Sequence, residues 1–332
     1  MKPRLAITIG DVNGIGPEIA VKAFQAPDLL KLCRPLIVGS VQALEKYAQD
    51  GDIVARSARM SESDLRSLGE ETVCILEPSG LSAPTVTPGE ISADAGKFAF
   101  QCVELAVRLA LDGHVDGVVT CPVSKTAVNM AGYEYPGHTE FLAELCRCTD
   151  YRMMLVAGEL RVVHVTTHLA LKEAIEQVTG DRVAETIRLA HQALEQLGIE
   201  RPRIAVAGLN PHAGEGALFG TEEQAEIVPG IELARADGIH VTGPLPPDTA
   251  FLQMAQGRFD VVVAMYHDQG HIPLKLVAFN RTVNVTLGLP IVRTSVGHGT
   301  AFDIAGKGVA DPTSLAEAVG LATVMASKRR RA

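Results

Sequence analysis

Short apolar runs rich in β-branched residues alternate along the chain with longer stretches in which apolar positions recur every three to four residues. The first pattern predicts buried strands and the second amphipathic helices. Strands are expected at 5–9, 36–38, 73–76, 118–120, 152–157, 160–166, 204–209, 261–265, 283–286 and 291–296. Helical spacing falls at 19–24, 92–111, 141–145, 171–178, 182–197, 221–236 with a break near Pro229, and about 312–327. Ser92 suits the N-cap of the longest helix, and Cys146-Arg147-Cys148 continues a helical pattern. Residues 77–90, rich in Pro, Ser and Gly, read as an extended connection. Strand and helix in alternation imply an α/β fold with a largely parallel sheet.

With 332 residues, 47% of them hydrophobic, the chain is long enough for two lobes. A net charge of -9 argues against nucleic acid or an anionic membrane as partner, but not against a small anionic substrate. The six cysteines are scattered without a C-x-x-C spacing, as in a protein with reduced thiols. No stretch approaches the roughly 20 apolar residues of a membrane span, and the N-terminal apolar run is too short for a signal peptide. A soluble, cytoplasmic protein is expected. The basic tail Lys328-Arg329-Arg330-Arg331 suits a helix C-terminus.

Chemistry enters at the strand ends. Val261 to Met265 leads into Tyr266-His267-Asp268-Gln269-Gly270, with Gly270 expected to make a turn and Lys275 following. Two other strands also run into histidine, at Thr167-His168 and Asn210-Pro211-His212. In open α/β sheets ligands sit at the carboxyl ends of strands, so three imidazoles there make a candidate divalent-metal site. Zinc suits them, with Co²⁺, Mn²⁺ or Mg²⁺ open if the substrate adds oxygen ligands. The plain alternative is that each histidine is a hydrogen-bonding loop residue. His164 reads as a core or wall residue. Arg293, on a strand expected to be buried, needs an anion, either a substrate group or an internal aspartate. His138-Thr139 opens a helix and offers an anion seat or a simple N-cap. Lys275, Lys125 and Asn284 are further polar candidates. The loop Gly10 to Glu18 is either a tight turn or one wall of a cleft shaped by Asn13; it is neither G-x-G-x-x-G nor a Walker A sequence.

Five of these motifs recur together in one known family. Gly137-His138-Thr139-Glu140, Thr167-His168, Asn210-Pro211-His212-Ala213-Gly214-Glu215, Tyr266 to Gly270 and Arg293-Thr294-Ser295-Val296 closely resemble the 4-hydroxythreonine-4-phosphate dehydrogenase family of pyridoxal phosphate (pyridoxine) biosynthesis. Gly14-Ile15-Gly16-Pro17-Glu18 and His298-Gly299-Thr300-Ala301-Phe302-Asp303-Ile304-Ala305-Gly306-Lys307-Gly308 also resemble loops of the wider isopropylmalate/isocitrate dehydrogenase superfamily. The resemblance implies two α/β/α lobes around a cleft and a non-Rossmann NAD site. The lobes would be roughly 1–130 with 275–332, carrying the NAD loop, and 131–274. It implies a divalent metal on His168, His212 and His267. Substrate would lie on His138, Thr139, Lys275, Asn284 and Arg293, and NAD (or NADP) on His298, Gly299, Asp303 and Gly306. It also implies a homodimer with a shared active site, in which the Tyr266–Gly270 stretch faces the partner subunit's His168 and the partner subunit's His212.

The implied reaction is oxidation of the secondary alcohol of a 4-phosphorylated hydroxy acid, followed by decarboxylation of the β-keto acid. Asp268 and Lys275 are the candidate bases. Three stretches, at Cys121 to Lys125, Tyr135 to Gly137 and His271 to Lys275, are more similar to a branch that oxidises 4-phospho-D-threonate or 4-phospho-D-erythronate. Gly297 stands where aspartate is common in both branches. Outside this class, a three-histidine zinc hydrolase would act without NAD, and a non-catalytic metal-binding protein would lose no activity with His267.

Overall fold

A computed structural model of the chain describes residues 2–25, 27–48, 58–60, 64, 73–79, 83–135 and 137–329. Residues 80–82 of the extended connection, Pro136, and Arg330-Arg331 of the basic tail lie outside the described residues. The chain forms two compact units, Met1–Thr149 with Leu289–Ala332, and Asp150–Gly288. Relative to the expected bounds near 130 and 275, this division gives His138 and Thr139 to the first unit and Lys275 and Asn284 to the second.

Among the described residues, the first unit holds strands β1 (Arg4–Thr8), β2 (Arg34–Val38), β3 (Ala58–Met60), β4 (Cys74–Leu76) and β5 (Gly117–Thr120). The second unit holds β6 (Arg152–Ala157), β7 (Leu160–His164), β8 (Ile204–Ala207), β9 (Val241–Leu245), β10 (Val261–Ala264) and β11 (Val283–Leu287). The chain then returns to the first unit with β12 (Arg293–Val296). Strands of the first unit lie in the order β3-β4-β2-β1-β5-β12 and are all parallel. In the second unit the order is β11-β6-β7-β10-β8-β9. There β11, β6 and β7 run antiparallel to their neighbours, and β7, β10, β8 and β9 run parallel. The antiparallel β6–β7 pair turns at Gly158-Glu159, with Gly158 at φ +60°.

The central strands are apolar throughout because both faces are covered. Val261, Val262, Val263 and Ala264 of β10 expose no surface. The Ala93–Leu111 helix starts where expected: the Ser92 Oγ accepts from the Ala95 N–H at 3.1 Å. Two helical expectations are corrected. Gly270 makes no turn, since His267–Ala278 is one helix with Gly270 and Pro273 inside it. The helix before Cys146 stops at Leu145, and Arg147 turns left-handed at φ 51°. Strand β9, Val-Thr-Gly-Pro-Leu, went unpredicted because Gly and Pro break its pattern; as an edge strand it tolerates the proline. Among the described residues no helix is long and apolar enough to cross a membrane.

Candidate active site

In the second unit, β7, β10 and β8 are adjacent and parallel, so the segments leaving their carboxyl ends emerge side by side. Those segments carry His168, His267 and His212. Their backbones are tied together. The Thr166 N–H and hydroxyl both donate to the Met265 carbonyl, joining β7 to β10. Gln269 accepts from the Met265 N–H at 2.7 Å and donates to the Gly208 carbonyl at 2.8 Å, joining β10 to β8.

The rings of His168 and His267 lie 5.8 Å apart and line a cavity of about 350 Å³ with Thr167, Tyr266 and Asp268. His267 thus has a histidine neighbour, His168, within its own chain. The Nδ1 of His267 is 2.7 Å from Asp268 Oδ1. A carboxylate accepts, so Nδ1 carries the proton and Nε2 keeps its lone pair, the arrangement a metal ligand needs. His212 stands apart from the pair. Among the described residues no group of three or more His, Cys, Asp or Glu side chains is arranged to hold a metal. Two histidines therefore fit a divalent ion, and the third is not brought to them within one chain.

The loop that carries His212 is held in an unusual shape. His212, Ala213, Glu215 and Ala217 all have positive φ, between 40° and 74°. Glu223, 3% exposed, accepts from the backbone N–H groups of Leu209 and Asn210 and from the Asn210 side chain. Sequence reading missed Glu223, Gln269 and His271, which touch other parts of the chain only through tertiary folding. His164 is buried, as expected, but it also bonds His271.

In the first unit, His138 and Thr139 open the His138–Leu145 helix. His138 shares a pocket of about 100 Å³ with Lys125, Tyr135, Phe100 and Gly137. Burial, then the charges of Arg293 and Lys125, hold His138 down at about 3, so it is neutral at physiological pH. Its Nε2 is buried without a hydrogen-bond partner among the described residues. Arg293, 1% exposed, donates from Nη2 to the Thr120 hydroxyl at 2.8 Å. Burial lowers it to about 10 while Glu140 opposes the shift, so the internal carboxylate beside it is a glutamate. Asn284, on β11 in the second unit, has a buried Oδ1 without a partner among the described residues. Lys275 lies about two turns beyond Asp268 on its helix, with Nζ 6.0 Å from the Phe279 ring centre.

The Gly14 and His298 loops pack on each other. Ile15 N–H donates to the Thr300 carbonyl, and Glu18 accepts from the Ala310 N–H. Lys22 bonds Glu18 and the carbonyls of Gly308 and Ala310. Gly16 is obligatory: a Cβ there would lie 2.0 Å from the Ile9 carbonyl oxygen. Asn13 straps the 87–90 segment, accepting from Thr87 N–H and donating to the Glu90 carbonyl, which favours the tight-turn reading of that loop. The buried His298 Nε2 has no partner among the described residues, and the space beside Gly299 is open, as a cradle for a bound group requires. Gly306 turns at φ +80°, and Asp303 is exposed.

The family model described as "Pyridoxal phosphate biosynthetic protein PdxA" matches residues 31–322. A D-threonate 4-phosphate dehydrogenase of Cupriavidus necator is 46% identical, over 98% of this chain and 98% of its own. Another, of Pectobacterium atrosepticum, is 43% identical over 98% of this chain and 100% of its own. The crystal structure of a 4-hydroxythreonine-4-phosphate dehydrogenase from Burkholderia phymatum is 44% identical, covers 98% of both chains and superposes with a TM-score of 0.83.

Proposed function

The chain belongs to the pyridoxal phosphate biosynthetic protein PdxA family, and from that premise we propose that it oxidises the secondary alcohol of a 4-phosphorylated hydroxy acid and then releases CO2 from the β-keto acid. NAD and a divalent metal are the cofactors of this reading. The observation that carries it is the delivery of His168, His267 and His212 from three neighbouring parallel strands. When bound, NAD would accept the hydride and the metal would draw charge from the reacting oxygen.

The chain's own residues supply the rest. His168 and His267 would hold the ion, zinc by donor type, and the partner subunit's His212 would complete the set. Asp268 orients His267 through Nδ1, which leaves Lys275 as the better-placed proton acceptor. His138, Thr139, Lys275, Asn284 and Arg293 would bind substrate. Neutral His138 keeps a hydrogen-bond site at Nε2 for the ligand, and Arg293 supplies buried positive charge. His298, Gly299, Asp303 and Gly306 would cradle NAD.

The homodimer in this reading is supported by an apolar stripe on the helix His267–Ala278 and the turn that follows it. Ile272, Leu276 and Phe279 follow helical spacing, and Leu276 is 85% exposed. A second copy of the chain would cover them. A cytoplasmic location fits the absence of disulfides among the described residues.

A second reading keeps the chemistry and changes the substrate's second carbon. The relatives named D-threonate 4-phosphate dehydrogenase, with the divergent stretches at Cys121 to Lys125 and His271 to Lys275, favour a hydroxyl there instead of an amine. The test is NADH formation by the purified protein with divalent metal, NAD and, in turn, 4-hydroxythreonine-4-phosphate, 4-phospho-D-threonate and 4-phospho-D-erythronate. The fastest substrate by kcat/KM decides between the readings; no NADH with any of the three refutes both.

A further inference from the structure

Behind His267 lies a buried pile of imidazoles that the reaction does not itself require. His271, one helical turn on, is 8% exposed and stacks on His267 with ring centres 3.6 Å apart and planes 14° apart. His164, at the end of β7, is fully buried and meets the Nδ1 edge of His271, with ring centres 4.7 Å apart. The hydrogen bonds fix a direction through the pile. The Met153 carbonyl, 3.2 Å from His164 Nδ1, can only accept, so that nitrogen carries the proton. In the neutral ring, His164 Nε2 is then an acceptor. His271 Nδ1, at 3.1 Å, must donate to it, sharing the same proton with the His267 carbonyl at 3.1 Å. His271 is thereby pinned in rotation and tautomer, and its face fixes the plane of the His267 ring.

Gly270 makes room for the arrangement. A Cβ at that position would lie 2.4 Å from His164 Nε2 and 2.6 Å from Val162 Cγ1. A glycine inside a helix is otherwise unfavourable, so the close approach of His164 accounts for it.

We propose that His271, locked by His164, is a positioning residue that sets the plane of His267 and so tunes how tightly, and with what geometry, this chain holds its divalent metal. The proposal rests on the reading of His267 as a metal ligand. Groups that orient a ligating histidine typically change metal affinity 10–100-fold when removed.

The test is titration of the metal-stripped protein with Zn²⁺ against a competing chelator, and with Co²⁺ followed by its visible d–d bands. The native chain is compared with His271→Phe, His271→Gln, Gly270→Ala and His267→Ala. His271→Phe keeps a ring over His267 but gives His164 no donor, and affinity should fall at least roughly tenfold with shifted Co²⁺ bands. His271→Gln restores a donor to His164 and should recover part of the loss. Gly270→Ala leaves His271 in place but displaces His164, and should mimic His271→Phe. Native Zn²⁺ affinity and Co²⁺ bands in both His271→Phe and Gly270→Ala, with metal lost in His267→Ala, would overturn the positioning role alone. Native affinity in His267→Ala would overturn the metal reading beneath it.

Discussion

Asp11 exposes no surface, and its Oδ2 has no hydrogen-bond partner among the described residues, while Oδ1 accepts from the Asn13 N–H. Burial raises it from 3.8 to about 6. The folded chain therefore binds this proton more tightly than the unfolded one. The associated stability is fully present below pH 3.8 and is lost as pH rises through about 6. Asp11→Asn keeps the acceptor for Asn13. Relative to the native chain it should be neutral near pH 4 and stabilising by roughly 3 kcal/mol at pH 8. Urea unfolding at the two pH values checks this, and an equal increment at both refutes it. His138 works in the opposite sense: held down at about 3, it contributes stability above pH 6.5 that is lost as pH falls towards 3. Arg293 was legible in the sequence as a charge on a buried strand, but its neighbours Thr120 and Glu140 were not. Arg293→Met should lower kcat/KM for a phosphorylated substrate roughly 100-fold. Steady-state kinetics with the phosphate-free analogue should show a much smaller change.

The elements that carry the candidate site differ in how far their patterns betray them. The Val261–Ala264 run and the Ser92 cap are local signals, and both elements formed where the periodicity placed them. The helix from His267 was hidden because Gly270 and Pro273 both argue locally against helix; tertiary packing against His164 overrides that preference. The His212 loop is the least local of all. Its run of left-handed residues is costly for side chains with a Cβ, and Glu223 offsets that cost from the following π-helical turn Glu223–Ile227. Glu223→Ala should destabilise the chain by roughly 2–4 kcal/mol, since two backbone donors lose their acceptor and the Asn210 amide loses one of its two. It should also speed amide hydrogen exchange across residues 209–217. Unchanged exchange there, measured by mass spectrometry, would remove Glu223 as the anchor of the loop.

At the scale of the whole molecule, metal and assembly are the accessible tests. Dialysis against a chelator should abolish NADH formation, and added Zn²⁺, Co²⁺ or Mn²⁺ should restore it; activity that survives chelation contradicts the metal requirement. Leu276→Glu puts a charge on the most exposed residue of the apolar stripe and should weaken self-association roughly 100-fold, read by sedimentation velocity. A native sedimentation profile would place the interface elsewhere. By itself the sequence determined the α/β alternation, the strand-end position of His168, His212 and His267, and the likeness of its motifs to one family. These are short-range properties, written in period and composition. Tertiary structure decided which strands are neighbours, and so that the segments carrying those histidines leave the adjacent ends of β7, β10 and β8. It also decided that His168 lies beside His267 while His212 stands apart, and that Glu223, Gln269 and the His164–His271 pair brace them. Those contacts join residues from 4 to 107 positions apart. Apart from the local bond between Gln269 and Met265, spacing along the chain does not encode them, because they arise only when segments distant in sequence are folded against one another. The stretch from Tyr266 to Gly270 shows both halves: its residue types announced a site, and only the fold revealed that its glycine serves a histidine 106 residues earlier.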